Sequence, residues 1–281
     1  MSRTIRAACI QLNSGSGIDA NLMAIAPLLA TAGKQGAQLI ALPENATSIT
    51  ISNRARLERS YPEATHPALP FFSAQAQQHG IWLLCGSLSI KRTDGLLDNR
   101  SILFAPNGTI AARYNKIHLF DATLAQGEVY RESATVAPGD RAVLATTPWG
   151  KIGMTICYDV RFARLYRDLA QAGADLIAVP AAFTVPTGQA HWHCLLRTRA
   201  IETGCFILAP AQCGTHDGGL KTYGHSLIIN PWGTVIAEAA GDTPQIIMAD
   251  LDLEACARTR RMLPVLEHDR NYLPPEKPQI P

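Results

Sequence analysis

The chain has 281 residues, 47% of them hydrophobic and 17% charged, with a net charge of +2. That is the make-up of an ordinary soluble globular protein, with material for one large domain or two small ones. No basic stretch is dense enough for a nucleic-acid groove, no apolar run approaches the roughly 18 residues of a membrane span, and no signal peptide is visible, so nucleic-acid and membrane partners are set aside. The seven cysteines, at 9, 85, 157, 194, 205, 213 and 256, are odd in number, scattered and without a CxxC pair. They read as reduced thiols of a cytosolic protein and not as a disulfide framework.

Apolar periodicity and turn residues predict the elements in chain order. A strand over 5–12 is followed by a helix over 18–34, a strand over 37–42 and a helix over 67–79. Strands then run over 81–88, 99–105, 109–115, 142–147 and 151–156. A helix over 160–172, a strand over 175–180 and a helix over 188–203 come next. Strands over 205–211, 222–230, 233–239 and 244–251 and a short helix over 252–260 complete the series. Hairpins mixed with βα units imply mixed sheets covered by helices. From Leu263 the chain holds five prolines in nineteen residues. It therefore divides into a domain over 1–262 and an extended tail over 263–281, expected along the surface or against a neighbouring subunit.

Two segments repeat. Gly36-Ala-Gln-Leu-Ile-Ala-Leu-Pro43 echoes Gly173-Ala-Asp-Leu-Ile-Ala-Val-Pro180, and Ser101-Ile-Leu-Phe-Ala-Pro-Asn-Gly108 echoes Ser226-Leu-Ile-Ile-Asn-Pro-Trp-Gly233. The order is the same in both halves, which suggests two similar α/β halves packed about a pseudo-twofold.

Three ionisable residues stand at strand ends, where reacting groups of α/β sheets gather. Glu44 follows Leu39-Ile-Ala-Leu-Pro43, Lys116 follows Ile110 to Tyr114, and Cys157 follows Lys151 to Ile156. The repeat sharpens Glu44, because Ala181 and Ala182 stand where the first half carries Glu44 and Asn45. A carboxylate directly after an apolar strand needs a partner. Cys157 sits at a predicted strand-to-helix turn, where the helix dipole favours a thiolate. Taken singly, Cys157 also fits a buried core thiol, and Glu44 with Lys116 a structural ion pair. Arg161, one turn after Cys157, lies in the first turn of the predicted helix, where a cation is unfavourable unless it grips an anionic group; a stem-packed arginine is the alternative.

Leu42-Pro-Glu44-Asn, Tyr114-Asn-Lys116-Ile-His118 and Ile156-Cys157-Tyr158-Asp159-Val-Arg161-Phe together resemble the carbon–nitrogen hydrolases of the nitrilase superfamily. The resemblance runs over nearly the whole chain and implies a four-layer αββα sandwich and a Glu–Lys–Cys triad. It implies that Cys157 attacks an amide carbonyl and that Glu44 takes the thiol proton and later activates water. Lys116 and the backbone N–H of Tyr158 would then stabilise the oxyanion. A second carboxylate is expected between Lys116 and Cys157. Glu132 is the better match and Glu128 the fallback. Ala163 departs from the proline common after Arg-Phe in relatives, which should slightly loosen that turn.

The run Ala182-Phe183-Thr-Val-Pro-Thr187-Gly-Gln-Ala-His191-Trp narrows the resemblance to members acting on deaminated glutathione, the keto-acid analogue of glutathione, to give 2-oxoglutarate and cysteinylglycine. Phe183, Thr187 and His191 are then pocket walls, and Arg161 receives the carboxylate of a small amide substrate. Omega-amidase activity on 2-oxoglutaramate is the nearest alternative, with other small carboxylated amides or N-carbamoyl compounds behind it. An inactive binding or scaffold subunit is the non-enzymatic reading; it is disfavoured because Glu44, Lys116 and Cys157 are all present. No cofactor is implied, since no G-x-G-x-x-G follows the first strand. No metal is expected from His191 and His193, which on a helix point about 200° apart. Asn99 and Asn230 read as structural. The family also implies a homodimer or larger homo-oligomer.

Overall fold

The computed structural model describes residues 3–50, 52–124, 127–273 and 275. β1 (Thr4–Gln11) is apolar on both faces, with Ile5, Ala7 and Cys9 entering one core and Ala8 and Ile10 another. A strand buried on both sides must lie inside a layered structure. α1 (Ile18–Lys34) crosses over to β2 (Leu39–Ala41), parallel to β1. α2 (Asn53–Glu58), capped by the Ser52 hydroxyl, and α3 (Ala68–His79) lead to β3 (Trp82–Leu84), parallel to β2. β4 (Leu88–Lys91), β5 (Leu97–Phe104) and β6 (Ile110–Asn115) add antiparallel pairings. β7 (Asp121–Thr123) and β8 (Val129–Arg131) form a separate hairpin.

The second half begins with β9 (Val143–Thr146) and β10 (Lys151–Met154), an antiparallel pair. α4 (Ala163–Gln171), β11 (Leu176–Ala178), α5 (Val185–Thr203) and β12 (Phe206–Ala209) continue it, with β10, β11 and β12 parallel. β13 (Cys213–Thr215) and β14 (Lys221–Tyr223) form a hairpin, and β15 (Leu227–Ile229) and β16 (Val235–Glu238) another. β17 (Gln245–Asp252) returns to pair with β1, followed by α6 (Glu254–Met262).

One sheet has the order β17-β1-β2-β3-β5-β4 with β6 on β5, and the other the order β16-β15-β12-β11-β10-β9. Their inner faces share one core. α1 and α3 close the outer face of the first sheet through Leu22, Ile25, Leu29, Phe72 and Ala76, and α4 and α5 cover the second. The result is a four-layer αββα sandwich. Both halves centre on three parallel strands, and the echoed Leu-Ile-Ala tripeptides are the middle strands β2 and β11, all six side chains buried. Each fully buried leucine or isoleucine there contributes roughly 1.5–3 kcal/mol.

Some elements differ from those read in the sequence. The strand over 81–88 is two, β3 and β4, separated by Gly86. Its φ is +72°, and a Cβ on it would lie 1.9 Å from the Pro43 carbonyl oxygen, so only glycine lets the chain pass behind the strand end that presents Glu44. The strand over 222–230 is likewise broken at Gly224-His225 into β14 and β15. The helix over 160–172 starts at Ala163, because a 3-10 turn, Cys157–Arg161, intervenes. α2, β7, β8 and β13 lack apolar periodicity and were not visible in the sequence.

The start of the tail lies along α4. Arg167 reaches the Val265 carbonyl and the Asp269 carboxylate, and Gln171 donates to the Leu266 carbonyl. Residues 274 and 276–281 of the expected extended tail are outside the described residues. No helix among the described residues is long and apolar enough to cross a membrane.

Candidate active site

β2 is too short to keep Pro43-Glu44 in the sheet, so Glu44 leaves its end with its side chain directed between the sheets, 4% exposed. A carboxylate buried this deeply requires compensation. It receives Lys116 Nζ at 2.9 Å and Asn99 Nδ2 at 2.9 Å on Oε1, and the backbone N–H of Ala182 at 2.9 Å on Oε2. Lys116 comes from the first residue after β6, and its own N–H binds the Asn99 carbonyl of β5 at 2.9 Å. The ammonium also donates to Glu132, at 3.1 and 2.8 Å. Glu132 is fixed further by the Phe120 N–H at 2.7 Å and by Asn99 Nδ2 at 3.1 Å. Of the two carboxylates offered by that segment, Glu132 joins the cluster and Glu128 is exposed.

Asn99, read from the sequence as structural, thus bridges both glutamates. Asparagine inside an apolar strand was the available signal, and its significance depends on the β5–β6 pairing, which one sequence does not display. Asn230 is structural: its Oδ1 accepts the N–H of Trp232 and of Thr234 in the β15–β16 turn.

Cys157 follows β10. Its N–H binds the Pro180 carbonyl at 2.9 Å, and its φ is +48°, in the left-handed region that costs a non-glycine residue about 1–2 kcal/mol. The Cys157 thiol lies within reach of the Glu44 and Lys116 charges. Burial first, and the Glu44 charge second, push the Cys157 thiol well above its ordinary pKa; the Lys116 ammonium opposes them without prevailing. Burial is the larger cause, and a thiolate would also add a negative charge beside Glu44. The helix N-terminus read beside Cys157 from the sequence is corrected. The turn at Cys157 is a single short 3-10 turn, and α4 begins only at Ala163. On Lys116, burial alone would lower the pKa, but the Glu132 and Glu44 charges raise it well above the usual lysine value. Burial would raise Glu132, and the Lys116 charge brings it below the ordinary carboxylate range.

Asp159, fully buried, holds the Cys157 turn. It accepts the Ile156 N–H at 2.9 Å, the His118 N–H at 3.0 Å and the Tyr114 hydroxyl at 2.7 Å, and the His118 ring nitrogen lies 2.8 Å away. His118 in turn stacks on Phe162, with centroids 3.5 Å apart.

Beside this cluster, Arg161 ends the 3-10 turn and not the first turn of a helix, which removes the dipole penalty inferred from the sequence. Its guanidinium carbon lies 5.6 Å from the Tyr158 ring centroid and 5.4 Å from that of Phe183, with His191 Nδ1 3.3 Å from Nη1. Among the described residues no carboxylate pairs with Arg161. Phe183 is buried against Trp192, and Thr187, in the first turn of α5, bonds to the Thr184 hydroxyl at 2.8 Å. Arg161 is therefore in contact with Tyr158, Phe183 and His191, and Thr187 lies in the first turn of the helix that carries His191. The N–H of Tyr158, in the first turn of its 3-10 segment, has no acceptor within that turn. Among the described residues the only three metal-type donors close enough to share an ion are His193, His225 and Glu238, none of them part of this cluster.

The arrangement places a thiol beside a carboxylate and a buried ammonium, next to an arginine with which no carboxylate pairs among the described residues. Known proteins are similar to this chain over most of its length. A deaminated glutathione amidase from Synechocystis sp. is 40% identical over 266 residues, covering 93% of this chain and 97% of that protein. Omega-amidase NIT2 from Bos taurus is 34% identical, covering 96% of each. The crystal structure of the C. elegans NitFhit protein superposes with a TM-score of 0.89 at 33% identity, over 95% of this chain and 65% of that longer one. The carbon-nitrogen hydrolase family model matches residues 6–261. With family model, relatives and fold in agreement, the chain belongs to the carbon-nitrogen hydrolase family, whose members cleave non-peptide carbon–nitrogen bonds.

Proposed function

We propose that this amidase hydrolyses deaminated glutathione to 2-oxoglutarate and cysteinylglycine, with Cys157 as nucleophile. The observation that carries the reading is the arrangement of Glu44 and Lys116 at the Cys157 thiol next to Arg161, a guanidinium between two aromatic rings with no carboxylate partner among the described residues. A guanidinium so held suits the planar carboxylate of a 2-oxo acid. Relatives named deaminated glutathione amidase support the same substrate.

The resting thiol requires base catalysis. As the Sγ–carbon bond forms, the thiol proton passes to Glu44 and the carbonyl electrons move to oxygen. Lys116 Nζ and the Tyr158 N–H stabilise that oxyanion. When the oxyanion collapses, the C–N bond breaks and Glu44 returns the proton to the leaving amine. Water, deprotonated by Glu44, then attacks the thioester, and Sγ leaves and regains a proton. Glu132 holds Lys116 in position throughout. Tyr158, Phe183, Thr187 and His191 line the acid-binding side.

Omega-amidase activity on 2-oxoglutaramate is the second reading, favoured by the likeness to omega-amidase NIT2. Both substrates present the same 2-oxo acid to Arg161 and differ in the leaving amine. The deciding experiment measures 2-oxoglutarate release from each by the purified enzyme. A higher kcat/KM for deaminated glutathione supports the proposal, the reverse supports omega-amidase, and turnover of neither removes the substrate assignment. Association into at least a dimer belongs to the same proposal and is tested by light scattering.

A further inference from the structure

His191 and His193 diverge on α5, so the sequence gives no reason to pair them, but His193 meets partners from another part of the fold. His193 Nε2 lies 3.0 Å from Glu238 Oε1 at the end of β16, and His225 Nδ1, from the β14–β15 turn, lies 2.8 Å from the same oxygen. One donor atom from each of the three residues lies within 4.8 Å of the others. We propose that His193, His225 and Glu238 form a binding site for one divalent first-row transition ion of the zinc class, separate from the Cys157 cluster.

The dimensions suit such an ion. Zinc at roughly 2.0–2.2 Å from nitrogen and oxygen ligands sets neighbouring tetrahedral donors about 3.4 Å apart. The two histidine–glutamate separations have to open by only a few tenths of an ångström. The converging atoms are those that metal binding uses: with each proton carried on the opposite ring nitrogen, Nε2 of His193 and Nδ1 of His225 present lone pairs to the ion. Two imidazoles and one carboxylate favour zinc, cobalt, nickel or copper over magnesium or calcium. The side chains are 35%, 29% and 39% exposed, which leaves the remaining coordination positions open to water.

The supporting frame is rigid. His225 has a φ of +53°, uncommon for a residue with a side chain, and its carbonyl accepts the indole N–H of fully buried Trp192 at 2.7 Å. Trp192 precedes His193, so one bond fixes the backbones of both histidines together. The Tyr223 ring stacks on His225 at 4.4 Å. A Cβ on Gly188 would come within 2.2 Å of Tyr223 Cγ, a measure of how closely α5 packs on β14. An ion here ties α5, the helix carrying Thr187 and His191, to the edge of the second sheet.

The test uses the full chain with Cys157→Ser and Cys194→Ser, because a thiol at the active site or the exposed Cys194 beside His193 could bind the same ions. Zinc is titrated by calorimetry and cobalt by its visible absorption. One equivalent should bind saturably, with affinity at least about tenfold weaker in Glu238→Gln and in His193→Ala, and zinc should raise Tm only in the parent. Absence of saturable one-to-one binding overturns the proposal. So does an affinity unchanged in both variants, which would put the ion elsewhere and leave these three residues as a hydrogen-bonded surface group.

Discussion

The Tyr114 hydroxyl donates to Asp159 Oδ2 at 2.7 Å, joining a residue two positions before Lys116 to one two positions after Cys157. The bond crosses between the two sheets and sets the ammonium against the thiol. Tyr114→Phe leaves the buried Asp159 short of a donor, at a cost of about 1–3 kcal/mol. A lower urea midpoint and a several-fold fall in kcat with little change in KM are expected. An unchanged kcat would mean the bond serves stability alone.

Burial and the Glu44 charge hold the Cys157 thiol well above its ordinary pKa. Cys157→Ala should therefore lose activity by at least about a thousandfold while keeping Tm within a few degrees. In the parent enzyme at neutral pH, iodoacetamide should modify the exposed Cys194 faster than Cys157, with the Cys157 rate climbing as pH is raised. Peptide mapping of the alkylated protein reads both rates, and rapid, pH-independent labelling of Cys157 would contradict a resting thiol.

Asn99 spans the two glutamates with one amide group. Asn99→Leu removes donors from both and should lower kcat by about tenfold to a hundredfold, more than it raises KM. Asn99→Asp, which crowds a third carboxylate beside Glu44 and Glu132, should be worse. Steady-state kinetics on the two variants gives the order.

Arg161→Met should raise KM for a 2-oxo acid amide by roughly 10- to 100-fold, the worth of a charged hydrogen-bonded contact. Arg161→Lys should fall between, since an ammonium lacks the planar fork. A neutral amide of similar size serves as control, and its kinetics should change little.

His66 is buried, and its Nδ1 accepts the Ala68 N–H at 3.2 Å, so the ring must stay neutral there. Burial pushes its pKa down from 6.5 to about 4. Between those values the unfolded chain binds a proton that the folded chain refuses, so this contribution to stability is full above about pH 6.5 and declines as pH falls toward 4. Urea midpoints at pH 7 and pH 5 should differ less in His66→Gln than in the parent.

The members of the cluster were legible before its geometry. Glu44, Lys116 and Cys157 each follow an apolar strand, and that local signal is where the structure brings them together. Asn99 was read only as structural and Asp159 was given no role, because a polar residue beside a strand acquires meaning only from the strand or turn it faces. The Cys157 thiol is held above its ordinary pKa for a related reason: burial comes first and the Glu44 charge, more than a hundred positions away, second, and neither is local to the sequence around residue 157. Short elements such as β7, β8 and β13 were missed because three residues carry no period.

Glu44 and Ala182 come from the two halves of the repeat, and the backbone N–H of the second holds the carboxylate of the first. In the echoed sequences Ala181 and Ala182 occupy the places of Glu44 and Asn45. A duplicated fold with matching acids at both strand ends would put like charges face to face at its centre. Alanine in one copy breaks that symmetry: it withholds the competing charge and contributes only its peptide dipole, so the two similar halves become one donor side and one acceptor side.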